Sequence, residues 1–372
     1  MFTLELFAME CKGREEDLEK LVKGVGVLGV RIVELLANEK GGSLVKTISP
    51  LSIAVVLGMI AAGAKGESKA EILRLMRLED SEFHVQHFKA LVDAGSASDS
   101  VKLQIANSVW SLVLSPEFIS LCQRAFGADA KAEAPTAAAI NGWCSRATNG
   151  LITEILSEDP SPDGAVLINA IHFKGSWKDP FKMESTTKQP FSRFDSSQVT
   201  VDMMYQRIKS LRYFEDSKVQ AISLPYGSDD EMSAVLILPQ EKQPISAAIH
   251  FMSGDVFFSR ATVNVHIPKL LGESTFDLKS MLSTLGISTI FSSTADLSGA
   301  SGKPLYVSEM VHKTYLKVDE KGTEAAAVTA GIMDRLCFAP LEDVKTFRCD
   351  RPFLFLVRMN ATGTWAFASV VG

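Results

Sequence analysis

The sequence has no apolar run long enough to cross a lipid bilayer. A membrane-spanning helix needs roughly 18 apolar residues, and the nearly apolar segment from Leu51 to Ala64 is shorter than that. The five cysteines are widely spaced and include no CxxC pair, which argues against a disulfide framework or a cysteine metal cage. Basic residues form no tract, and the net charge is −6, so we expect neither a nucleic-acid nor a membrane partner.

Motifs of common catalytic and cofactor sites are also missing. The sequence contains no GxSxG, no HExxH and no glycine-rich phosphate loop. His84 and His87 have the spacing of two ligands on one helix, but no carboxylate or thiol partner accompanies them. The sequence therefore predicts no metal site, no cofactor and no enzymatic activity.

The N-terminal segment does not resemble a secretion signal. Its apolar start carries Glu5 and Glu10, lacks a basic leading region and shows no small-residue cleavage site. The odd number of scattered cysteines is typical of reduced thiols. We expect a cytoplasmic protein, with unconventional secretion as the alternative.

The order of patterns along the chain predicts an α+β fold. Apolar residues recur at helical spacing in the first third, and 51–64 is typical of a buried helix. Strand-like runs follow from Ala165 onward, among them a pair at 352–371 joined by a turn at 360–363. No βαβ rhythm, repeat or linker is present, so we expect one domain over 1–372 with mostly antiparallel sheets.

The segment from Gly322 to Met333 has an unusual composition. At a period of two, one set of side chains is uncharged and mostly small, while the other holds the charges. Such a segment could enter the middle of a sheet as a strand or stay outside it, which is typical of a bistable element. An ordinary exposed helix and loop is the alternative. The uncharged set is Thr323, Ala325, Ala327, Thr329, Gly331 and Met333.

This segment resembles the hinge of the reactive-centre loop in the serpin family, and further motifs follow in the family's order and spacing. They cover 20–370, and nine motifs in register make the resemblance specific. They include ISPLSIAVVLGMIAAGAKGES, INGWCSRATNGLI, LINAIHFKGSWKDPF, HIPK, VHKTYLKVDEKGTEAA and RPFLFLVRMNATG. The chain departs from the family pattern at Val45, at Leu151 and in the terminal FASVV. In lacking a secretion signal, the sequence resembles the intracellular, ovalbumin-like branch of the family.

The resemblance implies three β-sheets with a large central sheet, eight to nine helices and an exposed reactive-centre loop at about 320–343. It also implies a metastable inhibitor that acts as a suicide substrate. A serine protease cleaves the loop and forms an acyl-enzyme, and the freed segment then enters the central sheet and traps the protease. We expect a monomer, with loop-sheet polymers as a liability of strand exchange.

Family spacing places the scissile bond at Leu336–Cys337. A leucine before the cut implies a chymotrypsin-like target, whereas a loop one residue shorter would make Arg335 the bait for a trypsin-like protease. A cysteine protease is a second target class. The main alternative is a non-inhibitory serpin with a chaperone, carrier or storage role, which the small residues of the hinge argue against.

Positions that match the family's motifs imply three groups of supporting residues. The hinge would open the loop, the breach would lie at the top of the central sheet, and the shutter would form a buried polar cluster midway down it. The hinge comprises Glu320, Gly322, Thr323, Glu324, Ala325, Ala326, Ala327 and Thr329; the breach comprises Trp177, Lys269 and Glu320; the shutter comprises Ser49, Ser52, Asn169 and His312.

Overall fold

A computed structural model describes residues 2–39, 41–80, 83, 85–94, 101–254, 257–323 and 343–372. This part of the chain contains eight α-helices and two short 3₁₀ turns, at 183–185 and 289–291. The helix count confirms the sequence prediction. The helices are α1 (Phe2–Asn38), α2 (Pro50–Gly63), α3 (Gly66–Leu75), α4 (Val85–Ala94), α5 (Pro116–Phe126), α6 (Ala137–Ala147), α7 (Ile245–Met252) and α8 (Leu278–Thr284).

Helix α2 is the buried helix that the sequence predicted. Ser49 caps its N-terminus, because the Ser49 side chain accepts a hydrogen bond from the backbone N–H of Ser52, and Pro50 fills the first helical position, where no donor is needed. Nearly every residue of α2 is buried. The helix therefore lies inside the main core, between the two sheets described below, and brings Ser49 and Ser52 to the central sheet that contains the strands Ala165–Ser176 and Val307–Asp319.

Fifteen strands are present in the described residues. They are β1 (Val45–Ile48), β2 (Val101–Trp110), β3 (Asp129–Lys131), β4 (Ala165–Ser176), β5 (Thr187–Ser192), β6 (Gln198–Glu215), β7 (Val219–Tyr226), β8 (Met232–Pro239), β9 (Ser259–Pro268), β10 (Leu270–Asp277), β11 (Val307–Asp319), β12 (Gly322–Thr323), β13 (Val344–Arg348), β14 (Phe353–Met359) and β15 (Trp365–Val371). The predicted turn at 360–363 joins β14 to β15, where the N–H of Gly363 donates to the carbonyl of Met359 at 2.8 Å.

Nine of these strands form one hydrogen-bonded sheet in the order β1-β15-β14-β8-β7-β6-β9-β13, with β5 on β6. Its long strand β6 has an irregularity between Ile208 and Leu211. Before this bend β6 pairs with β5, and after it β6 pairs with β7. The sequence resemblance implied two smaller sheets here. In the structure these two are joined through β6 into one sheet, so the described residues form two hydrogen-bonded sheets. Dividing the nine-stranded sheet at the bend gives the expected three.

The remaining strands form the large central sheet in the order β10-β11-β12-β4-β2-β3. Neighbours β10 and β11 are antiparallel, as are β2 and β4. Strands β4 and β11 are parallel. Alternate residues of β4 face opposite sides, as a strand requires: Leu167, Ile171 and Phe173 face the main core, while Val166 and Ile168 face a smaller cluster under α6.

None of the described helices is sufficiently long and apolar to span a bilayer.

Candidate functional site

The parallel pair β4 and β11 forms a seam through the central sheet. The two strands hydrogen-bond directly to each other from Ala165–His172 on β4 to Val307–Tyr315 on β11. No strand lies between them over this length. Beyond the paired region the two strands separate, and the two residues of β12 fill the space between them.

Strand β12 places the first hinge residues inside the sheet. It runs antiparallel to both neighbours, so that Gly322 pairs with Ser176 and Asp319, and Thr323 with Gly175 and Val318. Gly322 has φ of +143°, and a Cβ atom there would lie 2.1 Å from the carbonyl oxygen of Gly175. Only glycine fits this close approach.

The Thr323 side chain is completely buried. Its hydroxyl forms a hydrogen bond of 2.8 Å with the hydroxyl of Tyr226 on β7. This bond connects the hinge to the nine-stranded sheet.

The breach residues meet directly beside β12. Lys269 Nζ lies 2.7 Å from Glu320 Oε1, and the hydroxyl of Thr186 donates to the same oxygen at 2.7 Å. Burial alone would raise the pKa of Glu320, but the hydrogen bonds from Lys269 and Thr186 outweigh it and hold the pKa below its ordinary value. Glu320 is therefore a charged, hydrogen-bonded group at the start of the loop.

Trp177 lies beneath these residues. Its indole N–H donates to the carbonyl of Asp319 at 2.9 Å, and its ring stacks on Tyr226 with 4.5 Å between ring centroids. The backbone N–H of Trp177 donates to the carbonyl of Lys321. One aromatic residue thus contacts both the backbone of the hinge and the tyrosine that binds Thr323.

The structure also brings the four shutter residues together, and all four are completely buried. His312 and Asn169 are register partners on β11 and β4. The N–H of Ser49 donates to Nε2 of His312 at 3.1 Å, and Nδ1 of His312 is hydrogen-bonded to Oδ1 of Asn169. The Nδ2 group of Asn169 donates to the Ser52 hydroxyl.

The donor and acceptor directions of these hydrogen bonds fix the charge state of His312. Nε2 faces an N–H donor and must accept, so the proton of the neutral ring is on Nδ1, where the Asn169 oxygen accepts it. A second proton on Nε2 would point at the N–H of Ser49. Burial lowers the pKa of His312 to about 3.

Three contributors were missed by the sequence analysis. Asn107 on β2 accepts a hydrogen bond from Asn169 and is its register partner, so that Asn107, Asn169 and His312 form one row across three strands. Thr186 and Tyr226 join the breach. Asn107 falls within the alternating apolar series Val101, Leu103, Ile105 and Val109 of β2, and this was a usable signal for a buried polar group. Thr186 lies in an ordinary polar stretch and gave none.

Several predicted site residues lie outside the described part of the chain. These are Glu324, Ala325, Ala326, Ala327, Thr329, Arg335, Leu336 and Cys337. Their roles stay predictions, as do the roles assigned to the hinge, breach and shutter residues described above. No group of His, Cys, Asp or Glu side chains suited to a metal ion occurs among the described residues.

Comparison with known proteins identifies the family of this chain. A family model described as Serpin (serine protease inhibitor) matches residues 25–371. The chain belongs to the serpin family. The serpin resemblance found in the sequence is confirmed, and the family is one of protease inhibitors rather than of enzymes.

Similar proteins support the same assignment. The leukocyte elastase inhibitor of Homo sapiens is 34% identical over 360 residues, which are 90% of this chain and 93% of that protein. Among solved structures, a native serpin of Arabidopsis has a TM-score of 0.81 at 28% identity and matches 95% of this chain and 98% of its own. The native thermophilic serpin tengpin also has a TM-score of 0.81, at 27% identity, with 95% and 94% covered. The α+β serpin fold is therefore confirmed.

The buried neutral His312 predicts a pH-dependent stability of this serpin. Its ordinary pKa of 6.5 applies in the unfolded chain, and its folded pKa is about 3. Between these values the unfolded state binds one more proton, so the free energy of unfolding should fall as pH falls below 6.5. The fall is at most about 1.4 kcal/mol per pH unit.

The measurement is a series of urea titrations from pH 7 to about 5. His312→Gln should flatten the dependence on pH whatever its effect at neutral pH. His250→Gln removes an exposed histidine on α7 and is the matched control. An unchanged pH dependence in His312→Gln would contradict the assignment of a neutral, buried His312.

The Lys269–Glu320 pair predicts a measurable coupling at the breach. Lys269→Met and Glu320→Gln should each lower the free energy of unfolding, and the double variant should lose less than the sum. We expect a coupling of about 1–2 kcal/mol, because Glu320 is buried while the lysine is partly solvated. The corresponding cycle at Lys188 and Asp202, an exposed pair with 3.3 Å between its charged atoms, is the control and should give less. Equal couplings would show that burial of Glu320 does not strengthen its pair.

Proposed function

We propose that this serpin inhibits serine proteases by inserting its cleaved loop between β4 and β11. The observation that carries the proposal is the position of β12. The hinge is already seated at one end of a seam that is otherwise closed, and it runs in the direction an inserted strand needs. Insertion then requires only that the seam open further from this end.

Continuing the register of β12 defines the inserted strand. Beyond Thr323, successive residues would pair with β4 from Lys174 back to Ala165 and with β11 from Lys317 back to Ser308. Met333 reaches the end of the seam on both sides. The small-residue segment identified in the sequence therefore ends where the seam ends.

The same register supports the choice of inward residues. Ala325, Ala327 and Gly331 would pair with Phe173, Ile171 and Leu167, whose side chains face the main core. Thr329 would come between Asn169 and His312, whose hydrogen bond must break when the strands part. Its hydroxyl can donate and accept, so it can replace the bond that insertion breaks.

Insertion should also improve the sheet itself. One parallel ladder between β4 and β11 would be replaced by two antiparallel ladders, which are somewhat more stable per residue and add backbone hydrogen bonds. The intact protein is then the less stable state, and cleavage of the loop releases it.

The proposed covalent step is an arrested proteolysis. The protease serine oxygen attacks the carbonyl carbon of Leu336, and the bond to the nitrogen of Cys337 breaks as that nitrogen takes up a proton. The acyl ester keeps the protease on the loop while insertion carries it across the sheet. Leu336 favours a chymotrypsin-like protease, and Arg335 is the bait in the alternative register. The name of the human relative adds leukocyte elastase to the proteases worth testing.

A non-inhibitory serpin is the second candidate function. A chaperone, carrier or storage role would not need a hinge of small residues. The buried position of Thr323 within the sheet supports the inhibitory proposal instead.

We further propose that residues 1–372 act as one domain, monomeric and cytoplasmic, with proteases rather than nucleic acids or membranes as partners. The main core supports a single unit, because it contains residues of both sheets and most of the helices.

The proposal predicts a covalent complex that survives SDS. Mixed with chymotrypsin, the protein should give a band near the summed mass of the two chains, since the acyl ester is not hydrolysed. Leu336→Asp should abolish this band. If Arg335 is the bait, a complex should form with trypsin, and Arg335→Gln should abolish it. Leukocyte elastase is tested in parallel. Gel electrophoresis under denaturing conditions is the measurement.

Thr323→Arg is the matched control for this experiment. Thr323 is already buried in β12 of the intact protein, so a charge there should expel the hinge from the sheet, and the loop should be cut without being inserted. Thr323→Ser keeps the hydroxyl and should retain the complex. Cleavage without a covalent band in the unaltered protein would contradict inhibition and favour the second candidate.

Insertion between Asn169 and His312 predicts an effect of Thr329 that appears only after cleavage. Thr329→Val keeps the shape of the side chain but removes the hydroxyl. The intact protein should keep its stability, whereas the cleaved protein should gain less, by about 1–3 kcal/mol, because buried polar groups of the shutter lose their partner.

Urea titration of the intact and cleaved forms measures this difference, and Thr294→Val, at an exposed site, is the control. An equal gain in Thr329→Val and the unaltered protein would show that Thr329 does not reach the shutter.

A further inference from the structure

A cavity of about 240 Å³ lies beside the breach, at the bend of β6. It opens between the two halves of the nine-stranded sheet, and Trp177 forms part of its wall. The proposed inhibition does not use this cavity.

The charges around the cavity are unusual for this protein. Four cationic side chains line it, against two carboxylates. Arg212 and Asp230 neutralise each other, with 2.6 Å between their charged atoms. Lys178 and Arg260 line the cavity together with one further carboxylate, Asp179, so cations still outnumber carboxylates there in a chain whose net charge is −6.

The inner wall of the cavity is apolar. Trp177, Phe181, Leu211 and Leu224 line it and are themselves buried in the protein. The cavity therefore combines an aromatic and aliphatic wall with cations, and this combination suits a ligand that has a flat apolar body and an acidic group.

The backbone at the cavity has an unusual conformation. Ser210 and Asp230 both line it, and both have positive φ, at 54° and 55°. The carbonyl of Ser210 accepts from Nη1 of Arg260 at 2.7 Å, and Asp230 is held by Arg212. Non-glycine residues in this conformation cost free energy and cluster at binding sites.

We propose that this cavity is a binding site for a small aromatic anion. Its volume is below the range of pockets for drug-sized ligands, and it has room for one ring with its acidic groups. The ring would pack against Trp177 and Phe181, and the acidic groups would face Lys178 and Arg260.

The site would also be coupled to the hinge, a point that rests on the proposed loop insertion. Trp177 lines the cavity, donates to the carbonyl of Asp319 and stacks on Tyr226, which binds Thr323. A ligand packed on Trp177 therefore contacts a residue whose partners move when the strand enters. Linkage requires that insertion change the affinity for the ligand by the same factor as the ligand changes insertion.

Titration of the intact protein with 5-sulfosalicylate tests the site, with tryptophan fluorescence and calorimetry as readouts. Saturable binding should weaken as salt is raised. The double variant Lys178→Glu with Arg260→Glu should bind at least about tenfold more weakly, since each partly exposed ion pair contributes a few-fold. Arg260→Gln is a milder second variant, and Lys303→Glu, an exposed lysine outside the cavity, is the charge-matched control.

The outcomes separate the alternatives. Equal affinity for 5-sulfosalicylate in the unaltered protein and in both cavity variants would overturn the proposal, as would equal affinity for sulfate or for neutral salicylamide. The absence of saturable binding would also overturn it.

Affinities of the intact and loop-cleaved protein should differ at least threefold, and equal values would refute the coupling. Binding to the intact chain does not depend on inhibition, so failure of the proposed function leaves this test decisive.

Discussion

The parallel ladder between β4 and β11 is the constraint on which the rest of the structure depends. Every other neighbour of these two strands in the central sheet is antiparallel. In the proposed mechanism an antiparallel strand would enter between the two, and β12 shows the direction that such a strand would take. The ladder is a contact of the intact molecule, and in the proposed mechanism it is the contact that insertion would replace.

Two polar groups act on this ladder at different heights. Midway along the ladder, a hydrogen bond between the completely buried side chains of His312 and Asn169 joins the two strands. Ser49 and Ser52, at the start of α2, hydrogen-bond to these two side chains. At the top, Glu320, Lys269 and Thr186 hold the start of the loop beside the strands that it separates. A buried polar network favours one arrangement when all its members are satisfied and is costly when only some are. In the proposed mechanism, this property would keep the seam closed and would make a partly opened seam unfavourable.

Much of the fold followed from the sequence because its signals are local. The apolar run that forms α2, the strand runs after Ala165 and the turn at 360–363 were each predicted from short patterns, and the structure has all three. The number of sheets did not follow from local patterns, because the bend between Ile208 and Leu211 connects two halves that the family resemblance implied as separate sheets. Thr186 and Tyr226 escaped the sequence analysis because each acts through a residue far away in the chain, whereas Asn107 was missed although its position in β2 carried a local signal.

By itself, the sequence determined the family, the composition of the hinge and the residue types of the shutter. Side-chain size, charge and spacing are written along the chain and need no partner to be recognised. Only the tertiary structure decided that β12 is seated between β4 and β11, that Asn107, Asn169 and His312 form one row, and that Lys178 and Arg260 line one cavity. The physical reason is that register and proximity between distant segments arise from how the sheets pack, and packing depends on the whole chain at once.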